Sequence, residues 1–230
     1  MSLTVAYGAL ATGILVWAIL VMNLRSKPWE ATAAGATQTT GFSVSTKRIG
    51  LWIFLAVVTS LFCLFLSAYY MRMSQHAGHG SPMVAGDWKA IRDPSILWVN
   101  TVLLILGSVT MQSARAAVAG SQVEQTRLRL FAAGLLTFAF LIGQWLAWRE
   151  IRYSEFFTPL NPAVAFFYVL TAMHALHLLG GLFVWARTLM RSLRKDVELI
   201  DLRLSVELTS VYWHYLLLVW LGLFAVLLST

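Results

Sequence analysis

The chain has 230 residues, of which 59% are hydrophobic and only 12% charged. Soluble domains carry about 25% charged residues, so this composition cannot clothe a water-facing surface and excludes an ordinary soluble enzyme or binding module. The net charge of +7 would suggest nucleic acid in a soluble domain, but the Lys and Arg residues lie between apolar runs, which is the pattern of membrane topology and argues against a nucleic-acid partner.

A membrane-crossing helix needs about 20 apolar residues. Six stretches supply them: 3–24, 49–73, 95–117, 128–148, 162–189 and 206–228. The expected fold is all-α, a polytopic membrane helix bundle of about six transmembrane helices. Residues 1–24 have no basic segment ahead of the apolar run, so they read as a retained helix and not as a secretory signal. Residues 25–48 are small and polar and read as a cytoplasmic linker. Residues 49–230 form a five-helix core. The second span holds the one cysteine, Cys63, expected as a small core residue. The loop after it, MRMSQHAGHGSPM, has two readings. Met71, Met73, His76, His79 and Met83 offer thioether and imidazole ligands of the kind copper takes, whereas its Gly and Ser content fits a flexible exterior loop.

Polar groups within hydrocarbon are costly and normally face protein or a polar ligand. The third span opens with Asn100 and Thr101, and the fourth carries Gln144 late in its length. In the fifth, His174 and His177 stand one turn apart, followed by Gly180 and Gly181. The sixth has Glu207, Tyr212, Trp213 and His214 in its first half. Two histidines with His214 or Glu207 would make a metal set; the other reading is that these side chains bond to neighbouring helices or lipid headgroups. Glu207 suits the first turn of a helix, where the dipole favours a carboxylate. Asn100, Gly180 and Gly181 read as helix-packing residues, because small side chains let backbones approach.

Twelve basic residues fall in the odd-numbered loops: Arg25, Lys27, Lys47, Arg48, Arg115, Arg127, Arg129, Arg187, Arg191, Arg194, Lys195 and Arg203. The even-numbered loops hold five: Arg72, Lys89, Arg92, Arg149 and Arg152. Odd loops are therefore expected in the cytoplasm and both termini outside. Trp29, Trp88, Trp98 and Trp148 fall near span ends, as interfacial aromatics do. The chain has no phosphate-binding glycine loop, no HExxH, no GxSxG and no CxxC. Its spans have too few histidines to hold a haem and copper centre unaided.

Five segments in order resemble subunit III of the haem-copper respiratory oxidases. IGLWIFLAVVTSLFCLFLSAYYMRM is similar to that family's opening core helix. LWVNTVLLILGSVTMQSARAA resembles its L-N-T-x-x-L-x-x-S-S stretch, and LIGQWLAWREIRY its L-x-x-Q-x-x-E-[WY] segment. FFYVLTAMHALHLLGGL resembles F-F-x-L-T-G-x-H-G-L-H-V-x-x-G, and VELTSVYWHYLLLVW resembles E-A-x-x-x-Y-W-H-F-V-D-x-V-W. The resemblance covers residues 47–230 and leaves the first helix aside. It departs at Val57–Val58, where the family has Ser-Glu; at Ala147, where it has Glu, with Glu150 close by; and at Leu217, where it has Asp.

The resemblance implies a non-catalytic membrane subunit of a proton-pumping terminal oxidase, a cytochrome c oxidase of aerobic respiration. Its partners would be subunit I directly, and subunit II and small subunits in the complex. Haem and copper would sit in those partners, with none bound by this chain, and phospholipid would be held in a cleft. The implied location is a bacterial cytoplasmic membrane. The residues carried over as lipid-binding or subunit-packing are His174, His177, Glu207, Trp213, His214, Gln144 and Arg194. Sister roles, in a quinol oxidase or beside nitric oxide reductase, fit the same motifs. A small transporter or metal-handling protein would need a paired set of ionisable groups, which the spans do not show.

Overall fold

The computed structural model describes residues 39–78, 95–153, 161–193 and 199–228, all helical apart from short turns. The chain divides into two units, residues 1–85 and 86–230. Five helices among the described residues are long and apolar enough to cross a membrane. The expected first span, the loop residues His79 and Met83, and Arg194 lie outside the described residues.

In the first unit, α1 runs Thr39–Gly78. It starts within the expected 25–48 linker, about ten residues ahead of the apolar run, so polar Ser, Thr and Lys positions continue the helix beyond the bilayer. Leu55, Val58, Phe62 and Tyr69 are buried and fall on one stripe at heptad-like spacing. Val58, where the family pattern has an acid, is on that stripe and only 3% exposed. Thr59 Oγ1 and Ser60 Oγ donate to the carbonyls of Leu55 and Ala56 at 2.8 and 3.0 Å, so these hydroxyls are satisfied within their own helix. Cys63 is exposed. It is not the core residue expected, because it lies off the buried stripe.

The second unit is a four-helix bundle: α2 (Ser95–Ala119), α3 (Val123–Arg152), α4 (Pro162–Ser192) and α5 (Leu199–Leu228). Close contacts join α2 to α3, α3 to α4, α4 to α5 and α5 back to α2, so the helices form a closed ring. Buried positions recur at three- and four-residue steps. On α2 they include Leu97, Thr101, Leu104, Ser108, Met111, Ala114 and Val118, and on α3 Thr126, Leu130, Ala133, Thr137, Phe140, Gln144, Ala147 and Ile151. That is the 3.5-residue seam of left-handed bundle packing, found in membranes as in water. Outward positions such as Val109, Leu135, Phe183 and Leu218 are apolar and exposed, as lipid requires.

The ends of the bundle correct the reading of the basic residues as loop charges. Helices α3 and α5 begin several residues before their apolar runs, so Arg127 and Arg203 sit within helices. Arg203 Nε donates to Val118 O at 3.1 Å, and its Nη2 reaches Ala119 O at 2.9 Å and Ser121 Oγ at 3.0 Å. A helix leaves its last four carbonyls without intrahelical donors; in α2 Arg203 serves Val118 and Ala119, and the amides of Gly120 and Gln122 serve Ala116 and Ala117. Arg127 Nε does the same for α4 through Ser192 O at 2.7 Å, and Arg129 reaches Ser113 O at 2.7 Å. Arg191, expected as a topology residue, donates to Ser205 Oγ on α5 at 2.9 Å. At the opposite end Asn161 caps α4, its side chain accepting from Ala163 N at 3.1 Å with Pro162 in the first turn, a combination favoured at helix starts.

Candidate subunit-packing site

Three tryptophans bind the bundle by one repeated device. Trp220 on α5 donates to Thr101 on α2 at 3.0 Å, and Thr101 donates on to Leu97 O at 2.8 Å. Trp213 on α5 donates to Thr137 on α3 at 3.2 Å, and Thr137 to Ala133 O at 2.9 Å. Trp148 on α3 donates to Thr171 on α4 at 3.0 Å, and Thr171 to Phe167 O at 2.6 Å. A buried indole N–H needs an acceptor. A threonine hydroxyl can accept from the indole while donating to its own helix, so each relay leaves no polar atom facing hydrocarbon. Trp148, expected as an interfacial anchor, is thus a tie inside the bundle, and Tyr168 OH donates to its carbonyl at 2.7 Å. Trp185 Nε1 donates to Leu130 O at 2.7 Å, and a Cβ on Gly134 would run into its ring.

Asn100 Nδ2 donates to Gln144 Oε1 across α2 and α3 at 3.4 Å, and both residues are buried. Gly143 makes room for that pair, since a Cβ there would collide with the Asn100 side chain. Gly181 lies under the Tyr212 ring, whose Cε1 would stand 2.8 Å from an added Cβ, and Tyr212 OH donates to His177 O at 2.9 Å. Gly180 departs from its expected packing role: a Cβ there would meet no described atom within 4 Å, because it lies on the outer face one position away from the seam.

The two α4 histidines separate. His174 is only 1% exposed. It sits among aromatic rings, with Phe140 at 5.8 Å and Trp220 at 5.2 Å between centroids. Neither of its ring nitrogens has a hydrogen-bond partner. His177 is half-buried, with Nδ1 2.7 Å from Met173 O. Among the described residues no three His, Cys, Asp or Glu side chains come together in a set able to hold a metal ion.

On the outer edge of the α2–α5 seam lies a polar ladder. Ser108 Oγ meets His214 Nδ1, and His214 Nε2 lies 3.1 Å from Gln112 Oε1. The consistent assignment has Ser108 donating to Nδ1 and Nε2–H donating to Gln112. Ser210 Oγ also donates to Gln112 Oε1, at 3.4 Å. One turn along, Arg115 Nη2 and Glu207 Oε1 are 3.7 Å apart, both partly exposed. Because α5 begins at Leu199, Glu207 lies in its third turn, beyond the reach of the helix dipole, with its carboxylate beside Arg115. The ladder borders a groove of about 420 Å³ lined by Ile105, Ser108, Val109, Gln112, His214 and Leu217, among others. Leu217, at the family's Asp position, gives that groove an apolar wall. Ala147, at the family's Glu position, is fully buried, while Glu150 is exposed, so the nearby acid does not take over the inward place.

The family model described as cytochrome c oxidase subunit III matches residues 5–229. The chain belongs to this family. The match takes in residues 5–46, which the motif resemblance had left aside. Cytochrome c oxidase subunit 3 of a Synechocystis strain is 26% identical over 77% of this chain and 73% of its own length. The subunit 3 of Corynebacterium diphtheriae is 29% identical over 76% and 84%. A heme-copper oxidase subunit I+III of Aeropyrum pernix is 21% identical over 75% of this chain, which spans only 21% of that longer protein. The chain is therefore a multi-pass membrane subunit III of a haem-copper oxidase, and its partners are other subunits of that oxidoreductase complex. The family's Asn100, Thr101, Gln144, His174 and Trp213 positions all point into the bundle. Its Glu207 and His214 positions fall on the ladder.

Neither the tryptophan–threonine relays nor the arginine caps emerged from sequence reasoning. The threonines carried a faint signal, recurring at seam positions opposite tryptophans. The pairings require the ring order of the helices, which no single segment encodes.

Proposed function

We propose that this chain is the non-catalytic subunit III of a proton-pumping cytochrome c oxidase of aerobic respiration. It steadies subunit I, which with subunit II carries the haem and copper, and it holds phospholipid against its outer faces. The observation that carries this reading is the use made of the motif residues. Asn100 and Gln144 bond to each other, and Trp213, Trp220 and Trp148 each tie one helix to another. Side chains engaged in joining helices make a rigid scaffold with an outer face to offer a neighbour. The relatives' names favour cytochrome c as the electron donor of the complex, and the Aeropyrum fusion supports direct association with subunit I. Exposed Val109, Leu135, Phe183 and Leu218 suit acyl chains or partner helices. The location that fits is a bacterial cytoplasmic membrane with both termini outside, the orientation favoured by the arginines where α2 passes into α3 and α4 into α5 (Arg115, Arg127, Arg129, Arg187, Arg191 and Arg203).

Affinity purification of the tagged chain from native membranes in mild detergent tests this reading. The eluate should contain a haem-bearing subunit I, seen by mass spectrometry and by its absorption bands. A chain that purifies alone from membranes competent in oxidase activity would overturn it.

A further inference from the structure

The ladder on the outer edge of the α2–α5 seam faces the wrong solvent for its chemistry. His214 lies half-way along α5, about 22 Å from either end at 1.5 Å per residue, and Ser108 lies half-way along α2. The hydrocarbon core extends only about 15 Å either side of its midplane, so this pair stands near mid-membrane, beyond the reach of lipid headgroups. His214 is nonetheless half-buried and Gln112 exposed. The Gln112 amide nitrogen has no partner among the described residues, since its oxygen takes the bonds from His214 and Ser210. An acyl chain offers no hydrogen bond, and polar groups at this depth are found against protein or lining water. The groove beside them has apolar walls, Ile105, Val109 and Leu217, of the kind a helix packs into.

We propose that this groove seats a transmembrane helix of subunit I, which presents a backbone carbonyl or a polar side chain to Gln112 at mid-membrane. The proposal rests on the reading of the chain as subunit III within an oxidase. It commits to subunit I because the Aeropyrum relative carries subunits I and III in one polypeptide. The apolar walls fix the helix laterally, and the Gln112 amide fixes its register along the membrane normal. Arg115 and Glu207, one turn nearer the end of the seam, continue the polar edge toward the membrane surface.

The test uses the intact complex in its own membrane. A photoreactive phenylalanine analogue is placed at Val109 in the groove wall and, separately, at Leu135 on the exposed face of α3. Irradiation should link the Val109 position to subunit I at least tenfold more than the Leu135 position. Gln112→Leu, which keeps the volume but removes the amide, should weaken retention of subunit I about threefold, the scale of one interhelical hydrogen bond in a membrane. Co-purification by the unsubstituted chain is measured alongside. If subunit I co-purifies but links through Leu135 and not Val109, the groove proposal falls while the subunit III reading stands. A Val109 product with lipid alone, with a second copy of this chain, or with residues before 39 of the same chain also overturns the groove proposal. If no subunit I co-purifies, both fall.

Discussion

The interior of the four-helix bundle and the outer edge of its α2–α5 seam carry similar side chains at similar depth, but they treat them differently. Inside, Trp213, Trp220 and Trp148 meet threonines that pass the hydrogen bond on to a carbonyl of their own helix. At the edge, buried Ser108 and Ser210 meet half-buried His214 and exposed Gln112, and the ladder stops at an amide nitrogen with no partner among the described residues. Hydrocarbon penalises polar groups equally in both places. The tryptophan ties are closed within this chain, although Asn100 Oδ1, Gln144 Nε2 and the His174 ring nitrogens stay without partners, whereas the outer edge is where a second protein is proposed to bind. The interior should therefore govern the stability of the isolated chain, and the edge its retention in a complex.

The largest expected effect is interior. Gly134→Ala should push the Trp185 ring out of place and break its bond to Leu130 O. Overpacking of this kind costs about 1–3 kcal/mol, read as a lower midpoint of thermal unfolding in detergent. If that midpoint does not move, the interior is not as closely packed as described. Next, Trp220→Phe keeps the ring but silences the relay to Thr101. One buried interhelical bond is worth roughly 0.6–1.7 kcal/mol in a membrane, and the same unfolding measurement checks it. Replacing Thr101 as well, by Val, should add little to that loss, because the two residues act as one unit.

His214→Ala belongs to the outer edge. It should cost the isolated chain less than Gly134→Ala does, about 1 kcal/mol or below, the scale of the hydrogen bond it loses to Ser108. It should also reduce retention of the chain in the oxidase and shorten the complex's turnover lifetime. A large loss of intrinsic stability with unchanged retention would erase the distinction between the two regions. The smallest effect separates two adjacent glycines. Gly180→Ala, with open space around its Cβ position, should be neutral or slightly stabilising through helix propensity. Gly181→Ala must displace Tyr212 and should be measurably worse in the same assay.

The five spans among the described residues were legible in the sequence because hydropathy and length are properties of single segments. The closeness of Gly181 to a neighbouring helix was legible for the same reason, as a small residue in an apolar helix, but its neighbour Gly180 carried an identical signal and points outward. The difference is one step of helical phase, about 100°, which the sequence alone left unassigned. Arg127, Arg191 and Arg203 were legible as basic residues near a membrane face. Their function was not: Arg127 and Arg203 donate to the end carbonyls of other helices and Arg191 to the Ser205 hydroxyl, which depends on which helix ends lie side by side. His174 and His177 looked like a pair. The structure divides them between an aromatic interior and a half-buried flank, again by helical phase.

The proposed function has this chain steady an oxidase and take no part in its redox chemistry. Removing the chain from the purified complex and following oxygen consumption per haem tests it most directly. The initial rate and the absorption spectrum should persist while activity decays within fewer turnovers. Loss of a haem or copper signal together with the chain, or an unchanged lifetime without it, would contradict the account.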